Sequence, residues 1–250
     1  MTPMEIAQQR VRDWTSGPLD LSELGLTELP ELPAGLEYLN CSDNKLTKLP
    51  ELPAGLKGLG CGDNKLYALP DSLPTALIDL DCSNNRIYAL PKTLPASLRS
   101  LTCSGNRLRI LPNSLPAGLE LLDCEENRLT ILPDPLPVGL TELFCTGNCL
   151  NTLPENLPAG IKQLQCGDNK LTKLPNILPE ALTELLCYDN QLTVLPDPLP
   201  ERLFSLNCRS NMLTALPDPL PDYLSVLYCK DNRLVRLPDR PAYHTYGWEF

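Results

Sequence analysis

The sequence predicts an α/β solenoid: a parallel β-sheet along the concave face, an extended polyproline-like convex face, a short N-terminal capping helix and little other helix. Three observations predict it. Asparagine returns at Asn44, Asn64, Asn85, Asn106, Asn127, Asn148, Asn169, Asn190, Asn211 and Asn232, the first step being 20 residues and the other eight 21. Each asparagine has fixed companions: Cys three residues before (Cys41 to Cys229), Leu or Ile two after, and Pro six after (Pro50 to Pro238). The segment Tyr38 to Ser42 alternates, with Leu39 and Cys41 on one side and Tyr38, Asn40 and Ser42 on the other, which is the period of a short strand.

A period of 20–21 residues with this pattern is that of the shortest leucine-rich repeats. The elements follow in order. Thr2-Pro3-Met4-Glu5 is a helix start, with an N-cap, a proline at the first helical position and a capping-box glutamate. Met4, Ala7, Val11 and Trp14 then recur at helical spacing, and Gly17-Pro18 ends the helix, so residues 1–18 cap the first core layer. Residues 19–238 hold one degenerate repeat, in which Leu21 replaces the cysteine and Leu24 the asparagine, and ten regular ones. Within the repeat Leu36 to Gly55, the residues Leu36, Leu39, Cys41, Leu46, Leu49 and Leu52 are expected to point inward. Asn44 ends the strand, its amide turned in to satisfy backbone groups freed at the bend. Pro50 and Pro53 lack N–H groups and exclude helix from the back. Residues 239–250 form a tail crowded with Tyr243, Tyr246, Trp248 and Phe250, which either covers the last core layer or binds a partner.

Composition narrows the function. A net charge of −10 argues against nucleic acid and membrane surfaces as partners. The Lys/Arg column at Lys45, Lys65, Arg86, Arg107, Arg128, Lys170 and Arg233 is diluted by Asp43, Asp63, Glu126, Asp168 and Asp231, and reads as a mixed-charge rim. Met1 to Arg10 contains no apolar signal-peptide core, so the expected location is the cytoplasm, or outside it by a route that leaves no cleaved signal. Of the eleven cysteines, ten share one inward column. Neighbours in a parallel ladder have parallel Cβ vectors, so these read as small buried hydrophobes rather than disulfides or metal ligands. Cys149 stands in the Lys/Arg column and is the one candidate for an exposed thiol. No cofactor or metal site is expected. Enzyme motifs are missing, and the recurring Cys-x-Asp, as at Cys41-Ser-Asp43, places sulfur in the core without a base.

Function in a solenoid is carried by its outward strand positions. Early ones are small: Gly58, Gly60, Gly62, Ser83, Ser100, Thr102 and Ser104. An acidic stretch follows in Asp79, Asp81, Asp123, Glu125 and Glu142. Later positions grow apolar and aromatic, with Phe144, Leu186, Tyr188, Val226 and Tyr228 beside Arg209 and Lys230. Apolar groups rimmed by charge, with Tyr and Arg among them, predict a protein-binding face.

The unit LPxxLxxLxCxxNxLxxLP, seen in Leu52-Pro53-Ala54-Gly55-Leu56 and in Asn64 to Pro70, resembles the bacterial repeat class of the Yersinia outer protein M and the IpaH/SspH/SlrP effectors. The resemblance covers residues 19–238 and implies a non-enzymatic repeat that binds a host protein after secretion. The IpaH-like members add a ubiquitin ligase domain, and the twelve residues after Pro238 are too few for it. Two features depart from the class: cysteine replaces the usual aliphatic strand residue, and the N-terminal helical cap is shorter. Two further readings stay open: the substrate-recognition part of a ligase-type effector lacking its catalytic domain, and a structural or adhesive surface protein.

Overall fold

A computed structural model describes residues 1–236 and 248–249. The chain divides into two compact units, Met1–Asn127 and Arg128–Phe250.

The first unit opens with helix α1, Pro3–Asp13. Thr2 caps it: its hydroxyl accepts from the Glu5 N–H at 3.2 Å, and the Glu5 carboxylate accepts from the Thr2 N–H at 2.8 Å. Ala7 is fully buried and Met4, Val11 and Trp14 are half-buried, while Arg10 donates to the Asp20 carbonyl at 2.9 Å. The helix thus closes the open end of the stack, as the spacing of its apolar residues predicts. Six strands follow: β1 Leu19–Asp20, β2 Tyr38–Asn40, β3 Gly58–Gly60, β4 Asp79–Asp81, β5 Ser100–Thr102 and β6 Leu121–Asp123. All pair in parallel and in register, so that Leu39, Leu59, Leu80, Leu101 and Leu122 form one line.

The second unit repeats the plan in β7 Glu142–Phe144, β8 Gln163–Gln165, β9 Glu184–Leu186, β10 Ser205–Asn207, β11 Val226–Tyr228 and β12 Trp248–Glu249. The last pair matches Leu227 with Trp248 and Tyr228 with Glu249, so the 21-residue register runs on beyond Pro238, where the sequence pattern breaks. The other aromatic residues of the tail, Tyr243, Tyr246 and Phe250, lie outside the described residues. Both units are leucine-rich repeat solenoids, and among the described residues α1 is the only helix.

The asparagine column works as a hydrogen-bonded ladder. Asn106 shows the pattern: its Oδ1 accepts from the Ile87 N–H at 2.9 Å, and its Nδ2 donates to the carbonyls of Cys82, Cys103 and Ser104 at 2.9, 3.1 and 3.1 Å. One short amide therefore serves the bend of its own repeat and the backbone of the one before. The residue ahead of each asparagine has a positive φ, from Asp43 at 55° to Asp231 at 56°. The left-handed turn explains why Gly105 and Gly147, at 62° and 68°, occur in that column. Its acidic members, read from sequence only as charge, also hold a turn.

Among the described residues, the backs of the repeats contain no strand or helix. They are tied by a tight turn in which Leu36 N–H donates to the Pro33 carbonyl at 3.0 Å, a bond repeated by Leu56 and Pro53, by Leu119 and Pro116, and onward. One inward assignment needs correction. Leu52 is half-buried, whereas Leu73, Leu115, Leu136, Leu178, Leu199 and Leu220 are buried. Leu94 and Leu157, at the same position of 21-residue repeats, are half-buried too, so the depth of this leucine varies from repeat to repeat. At the ladder centre, Leu122 is fully buried, and Leu122→Ala is expected to cost about 2–5 kcal/mol in chemical denaturation. A loss under about 0.5 kcal/mol would show that the repeats do not share a packed core.

Candidate protein-interaction surface

Parallel register turns sequence columns into lines across the sheet. In the second unit one outward line runs Phe144, Gln165, Leu186, Asn207, Tyr228. Its apolar members stand on alternate strands, about 10 Å apart for a strand spacing near 4.8 Å. A second line runs Glu142, Gln163, Glu184, Ser205, Val226. The position after each column cysteine gives a third: Thr146, Gly167, Tyr188, Arg209 and Lys230.

None of the seven expected surface residues is buried: Phe144, Leu186, Tyr188, Val226 and Tyr228 are half-buried, and Arg209 and Lys230 are exposed. The fold brings Leu186, Tyr188, Arg209, Val226, Tyr228 and Lys230 together over β9–β11, with Phe144 two strands away.

Tyr188 is held from both sides. A Cβ on Gly167 would lie 2.6 Å from its ring, so glycine is what lets the ring rest on the preceding repeat. From the following repeat the Arg209 guanidinium sits over the ring, 5.0 Å from its centroid, and lies 4.0 Å from the Asp189 carboxylate. The stack orients a tyrosine and an arginine in advance of any contact, which lowers the ordering cost of binding. The ion pair itself is exposed and weak.

Sequence reading missed two sets of residues. Phe204 and Tyr223, 54% and 66% exposed, extend the apolar surface past the start of β10 and β11; Val226 N–H donates to the Phe204 carbonyl at 3.1 Å. Phe204 occupies a column that otherwise holds mostly Lys, Glu, Arg and Thr, and that was the available signal. In the first unit the rim carries a Tyr–Arg ladder. Arg86 donates to the Tyr67 hydroxyl at 3.2 Å and Arg107 to the Tyr88 hydroxyl at 2.7 Å, each guanidinium also lying over its tyrosine ring at 6.0 and 5.5 Å.

The eleven cysteines are free, and the ten of the inward column are buried. Burial pushes the Cys41 and Cys166 thiols up to about 12, and raises those of Cys61, Cys82, Cys103, Cys187, Cys208 and Cys229. Such sulfurs are protonated at neutral pH and are poor nucleophiles. Cys149, expected to be exposed, is half-buried; its N–H donates to the Leu129 carbonyl at 2.8 Å, fixing its backbone beside the preceding repeat. Among the described residues, no group of three or more His, Cys, Asp or Glu side chains is placed to hold a metal ion. No helix among them is long and apolar enough to cross a membrane.

The Leucine Rich Repeat family model matches residues 35–59. No curated protein sequence matches the chain. Among solved structures, the leucine-rich effector protein YopM from Yersinia pestis is 32% identical over 95% of this chain and 84% of its own, with a TM-score of 0.62. YopM from Yersinia enterocolitica WA-314 is 38% identical over 95% of this chain, which spans 61% of that protein, with a TM-score of 0.63. The functional domain of InlJ from Listeria monocytogenes, which includes a cysteine ladder, is 27% identical over 88% of this chain and 52% of its own, with a TM-score of 0.75. With its 21-residue register, asparagine ladder and this extent of likeness to YopM, the chain belongs to the bacterial leucine-rich repeat proteins.

Proposed function

We propose that the chain is a non-enzymatic scaffold that binds a protein partner through the outward face of β9–β11, with Phe144 at the margin, and that it acts as an effector on a host protein. The observation that carries the binding surface is the Tyr188–Arg209 stack set among Leu186, Val226 and Tyr228 on a face the core does not use. Tyr and Arg are the residue types that dominate interface energies, and charged Lys230 stands at the rim. The effector role rests on the likeness to YopM, itself described as a leucine-rich effector protein, over 95% of this chain. An effector role implies a site of action outside the producing cell.

The test is affinity capture from host-cell lysate with the wild type and with Tyr188→Ala/Tyr228→Ala, followed by affinity measurement on the recovered partner. Each substitution is expected to weaken binding by about 2 kcal/mol, roughly 30-fold, with the melting temperature nearly unchanged. A double variant that holds the same partner as tightly as the wild type, while removal of residues 239–250 releases it, would move the interface to the tail.

A further inference from the structure

The outward face of the first unit contains a cavity of about 320 Å³, lined by Tyr38, Asn40, Gly58, Gly60, Asp79 and Asp81 among others. It arises from one repeat. Gly58, Gly60 and Gly62 fill all three of its outward positions; Gly58 and Gly62 are buried under side chains of the neighbouring repeats, and Gly60 stays half-buried between them. The neighbours close in over the ends. A Cβ on Gly58 would sit 2.8 Å from the Tyr38 ring, and one on Gly62 would sit 3.0 Å from the Ser83 hydroxyl and 3.3 Å from the Asp81 carboxylate. The Tyr38 ring thus bounds one end and a carboxylate the other, with Asp79 two residues from Asp81 on the same side of the strand.

The nearby cations are committed elsewhere. Lys57 pairs with Glu37 at 2.8 Å, Arg99 donates to the Gly118 carbonyl at 2.7 Å, and Arg10 donates to the Asp20 carbonyl at 2.9 Å. Among the described residues no ion pair reaches Asp79, Asp81 or Asp123. Asp123 lies two strands beyond Asp81 in the same line, across Thr102. Burial lifts its carboxyl above the ordinary range, against hydrogen bonds from the Glu125 N–H and the Ser104 hydroxyl, and the Asp81 charge adds to the rise. Among the described residues, no cation pairs with these three aspartates.

We propose that the cavity over Gly58 and Gly60 takes the arginine side chain of a basic segment in a protein partner, with the guanidinium between Asp79 and Asp81 and against the Tyr38 ring. A planar guanidinium can bond carboxylates and stack on an aromatic face together, whereas an ammonium offers only a point charge. This surface lies in the other unit from the Tyr188–Arg209 face, and the failure of either leaves the other standing.

The experiment is a titration of the full-length, nitrogen-15-labelled protein with the peptide acetyl-Gly-Arg-Gly-amide, followed by amide NMR. The arginine peptide is expected to give saturable shifts at Gly58, Gly60 and Gly62. Binding should be about tenfold weaker for the neutral citrulline peptide, and about tenfold weaker for the arginine peptide on Asp79→Asn/Asp81→Asn. Gly60→Val, with a side chain in the cavity and an unchanged melting temperature, should abolish the shifts. Equal binding of the citrulline peptide, equal binding of a lysine peptide or spermidine, or shifts confined to other regions would overturn the assignment.

Discussion

Raising the pH from about 8 to about 10 is expected to destabilise the protein strongly, because its core contains a column of thiols that ionise in the unfolded chain before they ionise in the fold. The sign follows from the direction of the shifts. The folded-state pKa of eight column cysteines lies above the ordinary 9.0, through burial, reaching about 12 at Cys41 and Cys166. Their contribution is fully present below pH 9 and is lost as the pH rises from about 9 toward about 12, since unfolding there releases protons. A thiol that stays protonated in the fold up to about 12 removes about 1.4 kcal/mol between about pH 8 and about pH 10, so Cys41 and Cys166 alone remove roughly 3 kcal/mol and the other six add to the loss. Set against typical unfolding free energies of about 5–15 kcal/mol, that is a strong destabilisation. Denaturant melts followed by circular dichroism at stepped pH measure the slope. Leu21 is fully buried in the same column, so aliphatic side chains fit there, and Cys82→Val/Cys103→Val should move the alkaline midpoint upward. Stability that stays flat across this range would refute the buried column.

The thiol column was legible because a parallel register with a fixed period leaves each column one environment. Seeing cysteine ten times in the slot that Leu21 fills in the first repeat is enough to infer burial. The capping box was legible for a similar reason, being a local pattern with one geometry. Less could be read where side chains have reach. The positive φ ahead of every asparagine is a backbone property hidden under the charge of Asp43, Asp63 and Glu126, and only Gly105 and Gly147 betray it. Residue type does not reveal that Leu52, Leu94 and Leu157 are half-buried while Leu73 and Leu115 are buried, since all five are leucine in one column. In the surface set, register alone determines that Leu186, Tyr188, Val226 and Tyr228 share a face. The stacking of Arg209 on Tyr188, and of Arg86 on Tyr67, follows from rotamers that sequence does not specify. The cavity over Gly58 was visible as three small residues, but its walls were not, because they come from the two neighbouring repeats.

Replacing Asn106 with leucine is expected to cost about 2–4 kcal/mol, although the side chain is similar in size and the site is buried. The magnitude depends on which partners are left without a bond. The carbonyls of Cys82 and Ser104 keep a second donor, in Asn85 Nδ2 at 3.1 Å and the Asn84 N–H at 2.8 Å. The Cys103 carbonyl keeps Asn127 Nδ2 at 3.0 Å. The Ile87 N–H, held by Asn106 Oδ1 at 2.9 Å, is the group left bare. Leucine is tolerated at the matching position of the first repeat, Leu24, because no strand repeat precedes it. Shared carbonyls then make the ladder cooperative. Cys82 O loses both side-chain donors only when Asn85 and Asn106 are changed together. Asn85→Leu/Asn106→Leu should therefore cost about 1 kcal/mol more than the two single changes combined, read as the coupling term of a double-mutant cycle. Asn106→Asp separates charge from shape. Its carboxylate can still accept from Ile87 but faces three carbonyl oxygens, so its pKa is expected to rise and its stability to improve as the pH falls from about 7 to about 5. Additive single and double changes, or an aspartate variant whose stability ignores pH, would show that the asparagines act one by one rather than as a ladder.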